Sequence, residues 1–304
     1  AHHNTIKNNV IDRGYYGIYW QGSSSSSSGL SADNEISGNT LTNPYTYGIY
    51  CYYTSNLKVL NNAVTRSGSG TCYGYYMYYC DNAFQLDGNT YTGTSVTSTN
   101  YGIRTYYCDG TPTIRGSVSN NTITINSSTS LYGLYSYYGN YCTIANNKIT
   151  VQNNTTIYPM YVYNNTSSSY SYGKSVYVLG NDITATSNGT MYCYLNYGSY
   201  LRDVKSNDNK ITLNGGTGTQ YVYAANSYCQ DGVEFSGNEI TMKGTSCSQY
   251  VYGAYTYTYG GVKFNNNNIQ MLGTTSGSKY IYAPYQYCYG GWQMNNNTIK
   301  INGT

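Results

Sequence analysis

Few residues of this 304-residue chain are of types that could carry out catalysis. There are only twelve Asp and Glu residues, and most of them stand far apart in the sequence. The densest group is Arg202, Asp203, Asp208 and Asp231, in which two carboxyl groups facing one cleft could act as general acid and base. Asp203 and Asp231 also suit ordinary turns, where Asp is common. We therefore predict no catalytic residue and favour a protein that is not an enzyme.

The nine cysteines and two histidines do not have the spacing of a metal site. No Cys-x2-Cys pair occurs, and His2 and His3 stand together at the start of the chain. We predict neither a metal nor a cofactor. Cys80 and Cys108 close the similar phrases YMYYC and RTYYC, and Cys142 follows YYGNY. Stacking of these phrases would bring the thiols within reach of one another, so we expect one or two disulfides there.

A short phrase built on asparagine recurs along the whole chain at an interval of about 29 residues. In each phrase the second residue after the asparagine is Ile, Leu, Val or Tyr. A period in this range is typical of a solenoid, in which each repeat forms one coil. We expect the asparagines to stack inside the fold as a ladder of amide hydrogen bonds. They are Asn9, Asn39, Asn62, Asn89, Asn121, Asn147, Asn181, Asn209, Asn238, Asn267 and Asn297.

The residues around each asparagine alternate between apolar and polar, which is the pattern of strands with one buried face. Apolar residues stand three positions before and two positions after it, as Ile144 and Ile149 do around Asn147. The residue just before each asparagine is Asn, Gly or Asp, and these types tolerate a left-handed backbone. A sharp bend therefore separates two short strands in every repeat.

A third strand follows in each repeat after a variable loop, as in Gly48-Ile49-Tyr50. A Tyr follows the apolar residue of this strand in nearly every repeat. Three short strands per repeat, joined by a tight bend and two loops, predict an all-β fold, the right-handed parallel β-helix, with about 11 coils. We expect residues 1–304 to form one such domain, as a segment or subunit of a larger assembly.

Charged residues provide an independent test of this alignment of the repeats. Consecutive repeats carry Lys148, Asp182, Lys210 and Glu239 one position after the asparagine. The charges alternate in sign between neighbouring repeats, as directly opposed strand residues prefer. The alignment is therefore consistent with a stack of coils.

Two phrases, YGIYCYYTSNLKVLNNAVT and YGLYSYYGNYCTIANNKIT, resemble the repeats of the pectin-lyase-like superfamily, and above all those of its NosD-type members. The resemblance extends over essentially the whole chain and implies a right-handed parallel β-helix. It does not define the function, because the superfamily contains polysaccharide lyases, hydrolases, epimerases, phage tailspikes, adhesins and periplasmic accessory proteins.

Composition restricts the partners and the location of the protein. Only 9% of the residues are charged and the net charge is +3, so neither nucleic acid nor an anionic membrane surface is an expected partner. No apolar run is long enough to cross a bilayer, and we predict no membrane span. A surface rich in Tyr, Asn, Ser, Thr and Gly suits life outside the cytoplasm. We therefore predict an extracellular or cell-surface location.

The tyrosines of the third strand are the strongest candidate for a functional surface. One per coil should point outward, and contiguous aromatic surface often marks an interaction site. Tyr also forms strands well and stacks with itself, so a purely structural role explains the column equally well. The predicted interaction face consists of Tyr19, Tyr50, Tyr76, Tyr135, Tyr161, Tyr194, Tyr223, Tyr252 and Tyr282, with a second outward column of Tyr52, Tyr78, Tyr106, Tyr137 and Tyr163.

Three functions are compatible with this pattern. We favour an extracellular structural protein, a subunit or segment of a surface filament, sheath or adhesin, whose partners are copies of itself and surface polysaccharide. Uncapped coils would place Ile6–Ile11 of one copy against Ile299–Ile301 of the next. The alternative is a carbohydrate-binding or carbohydrate-processing β-helix. Ice binding through an outward Thr column is weaker, because the charged residues beside that column interrupt a flat hydroxyl array.

Overall fold

The protein is a parallel β-helix built from three sheets that run along its length. The computed structural model describes residues 2–22, 31–164, 174–225, 228–255, 257–273, 277–284 and 287–302. Within these residues the secondary structure consists of strands, and no helix occurs. The predicted fold class, an all-β parallel β-helix with three strands per coil, is confirmed.

Each coil contributes one strand to each sheet. The first sheet contains β1 (Thr5–Lys7), β5 (Glu35–Ser37), β8 (Lys58–Leu60), β11 (Gln85–Asp87), β14 (Gly116–Ser119), β17 (Cys142–Ala145), β20 (Val176–Leu179), β23 (Val204–Asn207), β26 (Val233–Ser236), β29 (Val262–Asn265) and β32 (Trp292–Gln293). The second sheet, which follows the bend, contains β2 (Val10–Asp12), β6 (Thr40–Thr42), β9 (Ala63–Ser67), β12 (Thr90–Val96), β15 (Thr122–Ser127), β18 (Lys148–Gln152), β21 (Asp182–Ser187), β24 (Lys210–Gly215), β27 (Glu239–Gly244), β30 (Asn268–Gly273) and β33 (Thr298–Asn302).

The third sheet, called here the tyrosine sheet, closes each coil. It contains β3 (Tyr16–Gln21), β7 (Tyr47–Ser55), β10 (Cys72–Asp81), β13 (Asn100–Tyr106), β16 (Leu131–Tyr137), β19 (Ile157–Tyr163), β22 (Met191–Tyr197), β25 (Gln220–Tyr223), β28 (Gln249–Ala254) and β31 (Lys279–Pro284). The short strand β4 (Ser31–Ala32) pairs with the end of β7.

A left-handed residue makes the bend between the first and second sheets in every coil. The residue before each ladder asparagine has a φ between 53° and 70°, as in Asn146 and Gly180. Asn, Asp and Gly accept this conformation at little cost, whereas bulkier residues are strained there. The sequence choice at this position is therefore explained by the backbone.

Except at the two ends of the ladder, the asparagine after the bend is buried and links three coils. Its Nδ2 donates to the Oδ1 of the asparagine in the next coil at 2.9–3.1 Å along the whole ladder. For Asn147, the second Nδ2 hydrogen goes to the carbonyl oxygen of Val118 at 2.9 Å. Its Oδ1 also accepts the backbone N–H of Asn121 at 3.0 Å. The amide therefore has partners for all of its hydrogen-bonding groups in the coils above and below.

The interior is a narrow apolar column around the axis. The residues three positions before and two positions after each ladder asparagine point into it, as the fully buried Ile144 and Ile149 show. Two inward tyrosines keep their hydroxyl groups hydrogen-bonded: Tyr75 donates to the carbonyl oxygen of Asn62 at 2.8 Å, and Tyr91 donates to Oδ1 of Asn100 at 2.7 Å. Each coil is thus stabilised mainly by packing of its inward residues against those of the neighbouring coils.

The predicted charge ladder has the expected register. Lys148 pairs with Asp182, Asp182 with Lys210, and Lys210 with Glu239. These residues lie on the outer face of the second sheet, where each exposed pair contributes only about 0–1 kcal/mol. Register is therefore set mainly by the buried asparagines.

Replacement of Asn147 by Leu should destabilise the fold, because it leaves buried partners in two neighbouring coils unpaired. Each unpaired buried group costs about 1–3 kcal/mol. Urea unfolding followed by circular dichroism measures the loss. Asn126 lies exposed on the second sheet, so Asn126→Leu is the matched control. Equal stability of the two variants would contradict the role given to the ladder.

Candidate functional site

Tyrosines cover the outer face of the tyrosine sheet in three parallel columns. The central column contains the predicted residues Tyr19, Tyr50, Tyr76, Tyr135, Tyr161, Tyr194, Tyr223, Tyr252 and Tyr282, with Arg104 in its fourth position. The third column contains Tyr52, Tyr78, Tyr106, Tyr137, Tyr163 and Tyr197.

The first column was missed by sequence analysis. It contains Tyr16, Tyr47, Tyr73, Tyr101, Tyr132, Tyr158, Tyr192, Tyr221, Tyr250 and Tyr280. In the first six coils two inward residues separate it from the central column, which breaks the strict alternation. The first of these residues is usually Gly, as at Gly48, where a Cβ would clash with the carbonyl oxygen of Gly74 and with Val64. The available signal was a Tyr three positions before the central position in the first six coils and two positions before it in the last four.

The rings of the first column form one continuous stack. Neighbouring ring centroids lie 4.6–5.4 Å apart, with interplanar angles of 4–15°. Rings also pack sideways between columns, as Tyr47 does on Tyr50 at 5.0 Å. Within the first column the ring faces are therefore occupied by other rings. The surface that remains free consists of ring edges and phenolic hydroxyl groups.

Burial in these stacks keeps the hydroxyl groups neutral. The pKa of Tyr101 is raised to about 12, mainly by loss of solvent and secondly by the neighbouring Tyr132. Burial has the same effect on Tyr252, whose pKa is about 12 with Tyr282 as the next cause. These two hydroxyl groups are therefore uncharged donors and acceptors throughout the physiological pH range.

A fourth tyrosine column lies at the corner where the tyrosine sheet ends. Tyr53, Tyr79, Tyr107 and Tyr138 occupy it, with φ between 49° and 56°. Their rings stack as well: Tyr79 and Tyr107 lie 4.9 Å apart, and Tyr107 and Tyr138 lie 5.1 Å apart. A bulky side chain in the left-handed region is unusual and costs about 1 kcal/mol. Asn or Gly, which this chain uses at most bends between the first and second sheets, would avoid that cost.

Arg104 is surrounded by tyrosine rings. Its Cζ lies 4.9 Å from the ring centroid of Tyr76, 5.4 Å from those of Tyr101, Tyr106 and Tyr135, and 5.6 Å from that of Tyr73. Such cation–π contacts partly replace the water that the guanidinium loses.

The three carboxylates considered for catalysis, Asp203, Asp208 and Asp231, do not all lie in one site. Asp203 and Asp231 both line a groove of about 470 Å³, whose floor includes Gly232 and Gly261 and which Trp292 borders. Asp208 is not among the residues of that groove, because it makes the left-handed bend before Asn209.

Both groove carboxylates are already engaged. Arg202 binds Asp231 with an Nε–Oδ2 distance of 2.7 Å, and this contact raises the pKa of Arg202. Tyr177 donates a hydrogen bond to Oδ2 of Asp203, while Arg115 stacks on the Tyr177 ring at 3.6 Å. The groove is therefore polar and charged, and each carboxyl group has its own donor.

The predicted disulfides are wrong, because all nine cysteines are free thiols. Cys80 and Cys108 do stack on adjacent coils, with the backbone N of Cys80 3.4 Å from Sγ of Cys108. Each thiol instead donates to a carbonyl oxygen of another coil: Cys80 to Cys51 at 3.6 Å, Cys108 to Met77 at 3.5 Å, and Cys142 to Cys108 at 3.1 Å.

A half-buried acidic pair lies beside these thiols. The Asp81 carboxylate accepts the backbone N–H of Asp109 at 3.2 Å, and Asp109 contacts Lys174 at 3.7 Å. Burial raises the pKa of Asp81 to about 6, and the nearby Asp109 charge contributes.

The family described as periplasmic copper-binding protein (NosD) matches residues 1–182, which is more than half of the chain. The chain belongs to the NosD family. Comparisons with curated proteins and with solved structures give no match. No helix of the described residues is both long and apolar enough to cross a membrane.

The residues of this NosD-family chain do not fit a copper site in the part that the structure describes. No three His, Cys, Asp or Glu side chains come together there in an arrangement that could hold a metal ion. Burial raises the pKa of Cys51, Cys108 and Cys142, so these thiols are neutral, whereas metal ligation needs thiolate. Nδ1 of His2 accepts the backbone N–H of Ala32 at 3.1 Å.

Asp81 should make the protein less stable as the pH rises from 4 to 7. Its folded pKa of about 6 is above the ordinary value, so the folded state binds a proton more tightly than the unfolded state in this interval. Asp81→Asn should match wild type near pH 4 and be more stable by about 1–2 kcal/mol at pH 7. Urea unfolding at both pH values measures this, with the exposed Asp12→Asn as the control. A constant difference between wild type and Asp81→Asn would contradict the assignment.

Proposed function

We propose that this protein is an extracytoplasmic structural protein, a component of a surface filament, sheath or adhesin, which docks other copies laterally through its tyrosine face. The tyrosine face is defined as the first, central, third and corner columns. The periplasmic location in the description of the family supports an extracytoplasmic site of action. The predicted head-to-tail contact between Ile6–Ile11 and Ile299–Ile301 remains a prediction.

The observation that carries this proposal is the stacking of the rings. Sugar binding by aromatic residues uses an exposed ring face, and in the first column the faces are covered by neighbouring rings, as between Tyr101 and Tyr132 at 4.6 Å. What remains is a flat array of ring edges and neutral hydroxyl groups. Tyr-rich surfaces of this kind contact proteins, because each ring supplies apolar area and a hydrogen-bonding group at low entropic cost.

The size of the face supports the same conclusion. Ten strands at about 4.8 Å give a length of about 45 Å, and five residues from the first to the third column give a width of about 17 Å. The product, about 750 Å², is close to the roughly 800 Å² that each partner contributes to a stable protein interface.

Backbone strain at the corner is a further argument. Tyr53, Tyr79, Tyr107 and Tyr138 all have positive φ values, which a bulky residue keeps only where something offsets the strain. Their stacking offsets part of it. We infer that contact with a partner is the remaining reason for tyrosine at this corner.

A second candidate function rests on the groove of Asp203 and Asp231. Two carboxylates, Trp292 and a glycine floor in one concave site suit carbohydrate binding. The groove carboxylates are engaged by Arg202 and Tyr177, which argues against their use as general acid and base.

Replacing Tyr107 and Tyr138 by Asn should weaken lateral association without weakening the fold. Asn accepts the left-handed backbone, so relief of strain offsets the lost stacking, and the melting temperature should change little. Sedimentation velocity over a range of concentrations should show at least a tenfold weaker association, consistent with the loss of about 1.4 kcal/mol or more. Gln85 is exposed on the first sheet, away from the tyrosine face, and Gln85→Ala is the control. A wild-type protein that stays monomeric at all concentrations would refute the proposed function.

No turnover of pectin, alginate or similar polyuronates is expected, because each groove carboxylate is bound by its own donor. Release of unsaturated uronates and of reducing ends measures the activity. Turnover that disappears in both Asp203→Asn and Asp231→Asn would instead establish the carbohydrate function.

A further inference from the structure

Arg104 occupies a position in the central column that the fold does not require to be Arg. Nine of the ten residues in that column are tyrosines, and the positions above and below it are Tyr76 and Tyr135. A tyrosine at 104 would continue the ladder, in which Tyr50–Tyr76 and Tyr135–Tyr161 stack at 4.9 and 5.1 Å. The arginine therefore serves something other than the continuity of the column.

The guanidinium of Arg104 has too few partners. Nη1 donates to the Tyr73 hydroxyl at a long 3.4 Å, and the buried Nε has no hydrogen-bond partner. None of the described residues forms an ion pair with it. A cation with several unused donors normally meets an anion, and a carboxylate fits the planar guanidinium best.

The missing carboxylate cannot come from the same face of another copy. The first, central and third columns contain no Asp or Glu. Two tyrosine faces packed on each other would therefore bury each Arg104 without a counter-ion, which is unfavourable. The partner surface must be a different one that carries an acid.

The second sheet of another copy has the required chemistry and spacing. Its strands repeat along the axis at the same interval as the tyrosine columns, so the two arrays can match coil by coil. Thr150, Thr184 and Thr212 form a hydroxyl column on its outer face, and Glu239 lies exposed beside it. Asp182 stands between Lys148 and Lys210, whereas Glu239 has only one cationic neighbour, Lys210, because Asn268 follows it. The third carboxylate of this sheet, Asp12, contacts Arg13 at 3.6 Å, so we take Glu239 as the anion that is left for a partner.

We propose that the tyrosine face of one copy docks on the second sheet of another, with the guanidinium of Arg104 bound to the carboxylate of Glu239. This inference rests on the proposed function and names its partner surface. Because the two surfaces differ, each docked copy keeps its other surface free, and a docked pair therefore presents one free surface of each kind. Such a heterologous contact forms a ring or an extending array rather than a closed dimer.

Charge reversal in separate chains tests the pairing. Arg104→Glu and Glu239→Lys should each weaken self-association at least tenfold, and an equimolar mixture of the two variants should associate as wild type does. Arg104→Tyr is the matched variant, because it restores an all-tyrosine column: it should fold as well as wild type and associate at least tenfold more weakly. Sedimentation velocity at low and high salt measures all of them, and salt should weaken only the wild type and the mixture.

The possible results separate the two proposals. If Arg104→Tyr associates as strongly as wild type, the Arg104 contact is refuted, while the tyrosine face remains the docking surface. Weak association of Arg104→Glu without recovery in the mixture would show that the carboxylate is not Glu239. If neither the wild type nor any variant associates, both the proposed function and the Arg104–Glu239 contact are refuted. Particles that are closed dimers by electron microscopy would contradict the heterologous geometry.

Discussion

The asparagine amide at each bend is the interaction on which the rest of the coil depends. Its Nδ2 and Oδ1 make hydrogen bonds to backbone and amide groups of the neighbouring coils, as in Asn147 with Asn121, Val118 and Asn181. A shift of one residue would leave these groups buried without partners, at a cost that no surface contact recovers. The ladder therefore fixes the strand register between each coil and the next. The tyrosine columns and the charge ladder are consequences of that fixed register.

Sequence reasoning succeeded where one residue decides one structural property. The Asn, Gly or Asp before each ladder asparagine indicates the left-handed bend, and the alternation around it indicates the two strands. It failed where a property depends on several coils. The first tyrosine column was hidden because Gly48 and Ile49 both face inward, which only the close packing of Gly48 against Val64 permits. The groove of Asp203 and Asp231 is likewise made by turns of successive coils, and neither turn defines it alone.

The expected disulfides failed for a related reason. Adjacent coils do stack Cys80 on Cys108, so the proximity was predicted correctly. Proximity does not decide bonding, because each Sγ can instead point to a carbonyl oxygen, as Cys108 does to Met77. Disulfides need a specific dihedral geometry as well as a short separation. Burial then raises the pKa of Cys108, which makes the thiol unreactive.

A solenoid allows its surface to change with little effect on its interior, because each coil is stabilised by inward residues and by its two neighbours. Features that oppose stability on the outer surface therefore need an explanation outside the fold. Two such features lie together on the tyrosine sheet: left-handed tyrosines such as Tyr107, and an arginine without a counter-ion in the column at Arg104. The bend between the first and second sheets uses only residues that suit its backbone, as Asn146 does. Left-handed tyrosines also occur outside this face, as at Tyr200 and Tyr228, so the strain alone does not single it out. The unpaired charge of Arg104 does, and a partner that covers this face would account for both features there.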